Sequence, residues 1–179
     1  RALEIDPKHK LACNNLGSLL QLYRQDIPAA EAAYRKAIEI DPNYVDAHIN
    51  LGELLETHKL DITGAEAAYR CAISIDPRNA IAHNNLGNIL EEHHEDIIHA
   101  EEAYRRAIEI DGNLAMAHNN LGSLLQNRKK DISGAEYSFR RALEIDPKHK
   151  LACNNLGSLL QLYRQDIPAA EAAYRKAIE

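Results

Sequence analysis

The stretch NYVDAHINLGELLETHKLDITGAEAAYRCAISIDP, residues 43–77, carries two helical faces in succession. Leu51, Leu54 and Leu55 recur at i, i+3 and i+4, and Ile62, Ala65, Tyr69, Ala72 and Ile73 repeat that spacing. The stretch therefore reads as a helix A from about Asn43 to Thr57 and a helix B from about Asp61 to Ile75. Asp61 stands where a side-chain oxygen accepts the open N–H groups of helix B. Asp76-Pro77 ends that helix, because proline disfavours helical geometry in the residue before it and has no N–H to continue the ladder.

Working outward, the same signals return at a fixed interval. Leu16, Leu51, Leu86, Leu121 and Leu156 lie 35 residues apart, and residues 1–39 recur unchanged as residues 141–179, four such intervals later. Each unit must then bury its apolar face against its neighbours, so the expected fold is all-α, a solenoid of antiparallel helix pairs. The units are expected at about 6–40, 41–75, 76–110, 111–145 and 146–179 of one continuous array over 1–179, with a four-unit, 140-residue block that begins again. Both ends read as cuts through a longer array. Arg1 matches Arg141 in the middle of a helix B, and Glu179 stops where Ile40 and Asp41 follow Glu39.

The other copies support the assignment. Asp26, Asp96, Asp131 and Asp166 repeat the capping aspartate, and Pro28 fits the first turn of helix B, where no N–H is needed. Asp41-Pro42, Asp146-Pro147 and Asp111-Gly112 repeat the stop. Gly17, Gly52, Gly87 and Gly122 recur inside helix A, and Ala30, Ala65, Ala100 and Ala135 inside helix B. Such regular small residues imply close helix packing that offsets the cost of a helical glycine. Tyr34, Tyr69, Tyr104, Phe139 and Tyr174 are the large side chains expected as plugs between units. Glu31–Arg35, Glu66–Arg70, Glu101–Arg105 and Glu136–Arg140 are i, i+4 pairs on the outer face of helix B.

Composition narrows the function classes. The balance of 21 Lys+Arg against 27 Asp+Glu, a net charge of −6, argues against phosphate backbones, so nucleic acid is not an expected partner. No apolar run approaches the roughly 18 to 20 residues of a membrane-spanning helix, and membrane insertion is not expected. Cys13, Cys71 and Cys153 are an odd count without paired spacing and read as buried free thiols. They lean towards a reducing, cytoplasmic setting, although the sequence carries no address that names a compartment. There is no phosphate-cradling glycine loop, no nucleophile elbow and no paired inward carboxylates, so neither an enzyme nor a cofactor is expected.

The recurring residues resemble the tetratricopeptide repeat, whose pattern is W-x2-L-G-x2-Y, then A-x3-F, then P. The second unit reads His48-x2-Leu51-Gly52-x2-Leu55, Ala65-x3-Tyr69, Pro77, and the match runs through essentially the whole chain. The Trp position instead holds Cys13, His48, His83, His118 and Cys153, and the Tyr position holds Leu20, Leu55, Leu90 and Leu125. The unit is 35 rather than about 34 residues, and the count from Leu-Gly to the helix B alanine places the extra residue in the A–B turn. The resemblance implies a right-handed superhelix and binding of proteins or peptides.

The most suggestive surface feature is an asparagine at one phase of every unit: Asn15, Asn50, Asn85, Asn120 and Asn155. Asn14, Asn84, Asn119 and Asn154 flank them, and Ser18, Glu53, Asn88 and Ser123 follow about one helical turn on. A carboxamide offers both donor and acceptor, as an extended peptide backbone requires. The tetratricopeptide superhelix of O-linked N-acetylglucosamine transferase is similar, with asparagines in the same place. The alternative is that these amides bond the adjacent repeat's backbone and hold the stack together. Ile49, in place of the first asparagine of one doublet, is expected to interrupt a uniform groove.

The family's carboxylate clamp, a set of inward Lys and Arg side chains, is not expected. The inner positions of helix A, among them Asp46, Glu56, Glu91 and Gln126, carry no base, so a neutral or basic segment fits better. No metal is expected either. His48, His83 and His118 share a phase on helices that pack about 8 to 10 Å apart, too far to share an ion. The cluster His93, His94, Glu95, Asp96 and His99 lacks a ligand spacing. Two readings remain: a scaffold that presents the asparagine face to an extended protein or peptide segment, and a structural fibre or filament in which copies of the chain associate end to end.

Overall fold

The computed structural model describes residues 7–178, and those residues form ten α-helices and no strand. The parts of the expected array at 1–6 and at Glu179, including the helix phase assigned to Arg1, lie outside the described residues. The helices are α1 (Pro7–Leu19), α2 (Ile27–Ile40), α3 (Val45–Leu54), α4 (Ile62–Ile75) and α5 (Ala80–Glu92), then α6 (Ile97–Ile110), α7 (Ala115–Leu124), α8 (Ile132–Ile145), α9 (Lys150–Leu159) and α10 (Ile167–Ile178). They fall into two compact halves, one ending at Leu86 and one starting at Gly87. In the first, α1 packs on α2, α2 on α3 and α3 on α4. In the second, α6 packs on α7, α7 on α8, α8 on α9 and α9 on α10. The fold is the expected all-α arrangement of stacked helix pairs.

Local chemistry explains the start of each helix B. Asp26, Asp61, Asp96, Asp131 and Asp166 accept from the N–H groups of Ala29, Gly64, His99, Gly134 and Ala169 at 2.9–3.2 Å, which satisfies donors that no helical carbonyl can reach. Each helix B then lays its aromatic ring on the glycine of helix A. A Cβ on Gly52 would stand 2.6 Å from Tyr69 Cε1, so only hydrogen fits there.

The end of helix A differs from the expectation. The α-helix of the second unit stops at Leu54, and Leu55–Lys59 continue as one wider, π-helical turn; the same occurs at Leu20–Arg24, Leu125–Lys129 and Leu160–Arg164. The chain leaves each turn through a left-handed residue. Gln25, Leu60, Lys130 and Gln165 have φ of 53–59°, and their N–H groups reach the carbonyls of Leu20, Leu55, Leu125 and Leu160. The N–H of the capping aspartate that follows bonds the same carbonyl at 2.9–3.1 Å. The wide turn thus closes the last helix A carbonyl and aims the chain at the cap of helix B. In α5 the α-helix runs on to Glu92, yet Glu95 is left-handed and the Asp96 N–H bonds Leu90 O at 2.8 Å.

The outer face of helix B carries the expected i, i+4 pairs, including Arg35–Glu31 at 2.9 Å and Arg70–Glu66 at 2.8 Å. The glutamates also accept a cation from the following A–B turn: Lys59 on Glu31, Lys129 on Glu101 and Arg164 on Glu136, at 2.7–2.9 Å. The Lys59 hydrogen bond holds the Glu31 carboxyl below its ordinary range despite the opposing effect of burial.

The two identical segments show what neighbours contribute. Leu16 in α1 is 50% exposed, whereas Leu156, the same position in α9, is 6% exposed beneath α8. Tyr34 is buried where α3 covers α2, and Tyr174 is only half-buried. Burial here belongs to the stack rather than to the helix.

Two stability measurements test this packing. Gly52→Ala is expected to lower the unfolding free energy by about 1–2 kcal/mol in urea titrations, because overpacking of about 1–3 kcal/mol outweighs the gain in helix propensity. Leu60→Gly should instead raise it by about 0.5–1 kcal/mol, since the left-handed backbone favours glycine and the leucine side chain is 77% exposed.

Candidate functional site

The asparagine doublet divides between two environments. Asn14, Asn84 and Asn119 are buried, whereas Asn50, Asn85, Asn120 and Asn155 are half-buried and Asn15 and Asn154 are exposed. Helix geometry produces this split, because adjacent residues are turned by about 100° and the first of the pair points into the contact between successive A helices. The amides bond one another. In the first half, Asn50 Nδ2 donates to Asn14 Oδ1 at 2.9 Å and Asn84 Nδ2 to Asn85 Oδ1 at 3.1 Å. In the second half a chain forms: Asn155 donates to Asn119, Asn119 to Asn120 and Asn120 to Asn88, at 2.9–3.2 Å.

The alternative in which the amides act as mortar between successive helices thus gains side-chain partners, where backbone partners were expected. Each of these bonds uses one N–H of Asn50 or of Asn155, whose carboxamides carry a second N–H and an oxygen as well, and both residues are half-buried rather than enclosed. Ile49 is buried with Ala72 and Ala82, against Val45 and Ile73. It replaces the buried member of its doublet, so it sits in the core and Asn50 remains in place beside it.

The next turn adds a second row. Ser18 accepts from the Tyr34 hydroxyl at 3.3 Å, Asn88 accepts from Tyr104 at 2.9 Å, Ser123 accepts from Asn127 at 3.2 Å, and Glu53 is exposed. Tyr69 and Tyr174 donate to Glu56 and Gln161, while Tyr34 shares its one proton between Ser18 and Gln21 and Tyr104 between Asn88 and Glu91; these four Gln and Glu acceptors each stand thirteen residues before their tyrosine, at 2.8–3.2 Å. The rings are expected as plugs between units; each also packs on the glycine of its own helix pair, and the hydroxyl's reach to the inner face is a further feature. The recurrence of Gln or Glu thirteen residues before each tyrosine was the available signal. Burial, reinforced by the Glu56 carboxylate, pushes the Tyr69 phenol far above its ordinary range, so it stays a donor. Burial also raises the Glu91 carboxyl, against the lowering effects of the Tyr104 bond and Arg128.

The histidines at the tryptophan position tie down the turn before helix A. The Nε2 atoms of His48, His83 and His118 lie 2.9–3.2 Å from the carbonyls of Pro42, Pro77 and Gly112. Among the described residues, no three His, Cys, Asp or Glu side chains gather as a metal-binding group. The cysteines are free, but only Cys153 is buried as expected; Cys13 is half-buried and Cys71 lies exposed on helix B. No described helix is long and apolar enough to cross a membrane.

Comparison with known proteins agrees with this architecture. Family profiles described as TPR repeat match residues 20–58, and profiles described as tetratricopeptide repeat match residues 59–115 and 115–149. The chain belongs to the tetratricopeptide repeat family. The solved structure of PilF from Pseudomonas aeruginosa superposes with a TM-score of 0.82 at 26% identity, over 95% of this chain and 77% of that one. YrrB, described as a TPR protein with an unusual peptide-binding site, is 25% identical with a TM-score of 0.65, over 99% of this chain and 89% of that one. MamA, at 22% identity and a TM-score of 0.71 over 90% and 92% of the two chains, shows the same fold. No curated protein is similar enough to count as a match.

His118 supplies a pH test of the slot. Burial favours its neutral ring and lowers its pKa, an effect the Gly112 carbonyl opposes and Arg141 reinforces. The unfolded chain therefore binds this proton more readily. The stabilisation is complete above the ordinary histidine pKa of 6.5 and is lost as pH falls below it. Urea midpoints of the native chain should decline between about pH 7 and 5 more steeply than those of His118→Gln, and parallel curves would contradict this.

Proposed function

We propose that the chain is a non-enzymatic scaffold that presents the helix A face of its repeats to an extended peptide or protein segment. The observation that carries this reading is the asparagine row itself. Asn50 and Asn85 in the first half, and Asn120 and Asn155 in the second, are held in orientation by bonds to other side chains and stay half-exposed, where a peptide backbone can meet them within each half. Pre-oriented donors and acceptors lose little freedom on binding. The surrounding Asp46, Glu53 and Ser18 supply acidic or neutral chemistry, which favours a neutral or basic segment. The similarity to YrrB, whose description names a peptide-binding site, supports the same class of partner.

On this reading the row resembles the asparagine ladder of O-linked N-acetylglucosamine transferase. The repeats form a 35-residue variant of the family unit, with the wide turn and left-handed residue at the end of helix A accommodating the added position.

A second reading, association of copies into a fibre, rests on the four-unit block, which begins again at Arg141 with no change over residues 141–179, a uniformity that a regular superhelical polymer would use. Analytical ultracentrifugation separates the readings. A single sedimenting species independent of concentration supports the scaffold alone, and concentration-dependent growth supports the fibre.

The scaffold is tested with dodecapeptides selected on the folded chain from a random phage-displayed library, then synthesised with a fluorescent label. Asn50→Ala should weaken binding about 3- to 10-fold, the equivalent of one hydrogen bond. Asn14→Ala, at the buried partner, should cost stability by about 1 kcal/mol or more while changing affinity less than about twofold. Loss of stability from both with no change in affinity would leave the asparagines as mortar only.

A further inference from the structure

The position about two turns beyond the asparagine row is tied down in four units and loose in one. Gln21, Glu56, Glu91 and Gln161 each accept a hydrogen bond from the tyrosine of the same helix pair, at 2.9, 2.8, 3.1 and 3.2 Å. The fourth unit has Gln126 at that position and Phe139 where the tyrosine stands. The packing of the ring is unaltered. Phe139 is fully buried, as Tyr69 is, and a Cβ on Gly122 would stand 2.6 Å from its Cε1, the distance found at Gly52 and Tyr69. Only the hydroxyl is missing.

That absence changes the inner surface. A phenol cannot be replaced as donor by a phenyl ring, so Gln126 lacks the bond that orients its counterparts, and Ser123 accepts from Asn127 where Ser18 accepts from Tyr34. Gln126 is half-buried in the wide turn that continues α7, the helix that carries Asn119 and Asn120 of the amide chain. Its carboxamide is neutral, whereas the anchored Glu56 and Glu91 carry carboxyls. It can present an acceptor and two donors in whichever orientation an incoming group requires.

We propose that Gln126 is a specificity contact of the helix A face, and that Phe139 is the substitution that releases it to pair with a main-chain N–H and C=O of the bound segment. This rests on the peptide-binding reading above and deepens it. It predicts that adding one oxygen atom to a fully buried ring, away from any ligand, weakens binding.

The test uses the full chain and the labelled, library-selected dodecapeptide. Phe139→Tyr should anchor Gln126 as in the other units and weaken binding about 3- to 10-fold, without lowering the thermal midpoint, since tyrosine fills this site elsewhere in the chain. Gln126→Ala should weaken binding to a similar degree. The double variant should bind no worse than either single one, because both act through the same amide. If Phe139→Tyr does not fold, Gln126→Ala decides alone. Binding within twofold of native for Gln126→Ala, or losses that add in the double variant, would overturn the proposal. If Asn155→Ala weakens binding while neither Gln126→Ala nor Phe139→Tyr does, this inference falls and the peptide-binding reading stands. If no dodecapeptide is selected, or every variant binds alike, both fall.

Discussion

In every helix pair an aromatic ring of helix B rests on the glycine of helix A, closer than any side-chain carbon would permit, and the rest of the structure depends on that contact. The ring sets the separation of the two helices, and at four of the five pairs its hydroxyl continues past the glycine to a polar group on the inner face. Core and surface are therefore joined through one side chain. Buried tyrosines whose O–H finds a partner cost little to bury, and they orient the residues they bond.

The stack adds what a single pair cannot supply. The segments 10–38 and 150–178 have one sequence and two burial patterns, since α8 covers Leu156 and α3 covers Tyr34. The side-chain amides follow the same logic: Asn14 and Asn119 are satisfied by Asn50 and Asn155 of the following A helix. Polar groups buried in this way stabilise only the register in which their partners align. One row of residues can thus hold successive helices in register and keep a second set of donors and acceptors facing outward.

Much of this was legible in the residues because the deciding chemistry is local. The aspartate caps depend on three-residue spacing, and the Gly-to-aromatic contacts follow from a strict period. The wide turn at the end of helix A was not legible, since Leu60, Glu95 and Lys130 carry none of the glycine or asparagine that usually marks a left-handed position. The rotation of helix A was equally hidden. It decides that Asn84 is buried while Asn85 is half-exposed, and that Ile49 belongs to the core rather than interrupting the face. The phenol bonds were visible only as a coincidence of spacing until the helices were placed.

The central claim, that the helix A face takes an extended segment through its outward asparagines, is tested most directly by NMR titration of the labelled chain with a selected dodecapeptide. The side-chain NH2 signals of Asn50, Asn85, Asn120 and Asn155 should shift together with backbone signals of α3, α5, α7 and α9, while the outer faces of α4, α6 and α8 stay fixed. Saturable shifts confined to the outer faces of helix B, with the asparagine amides unmoved, would contradict it.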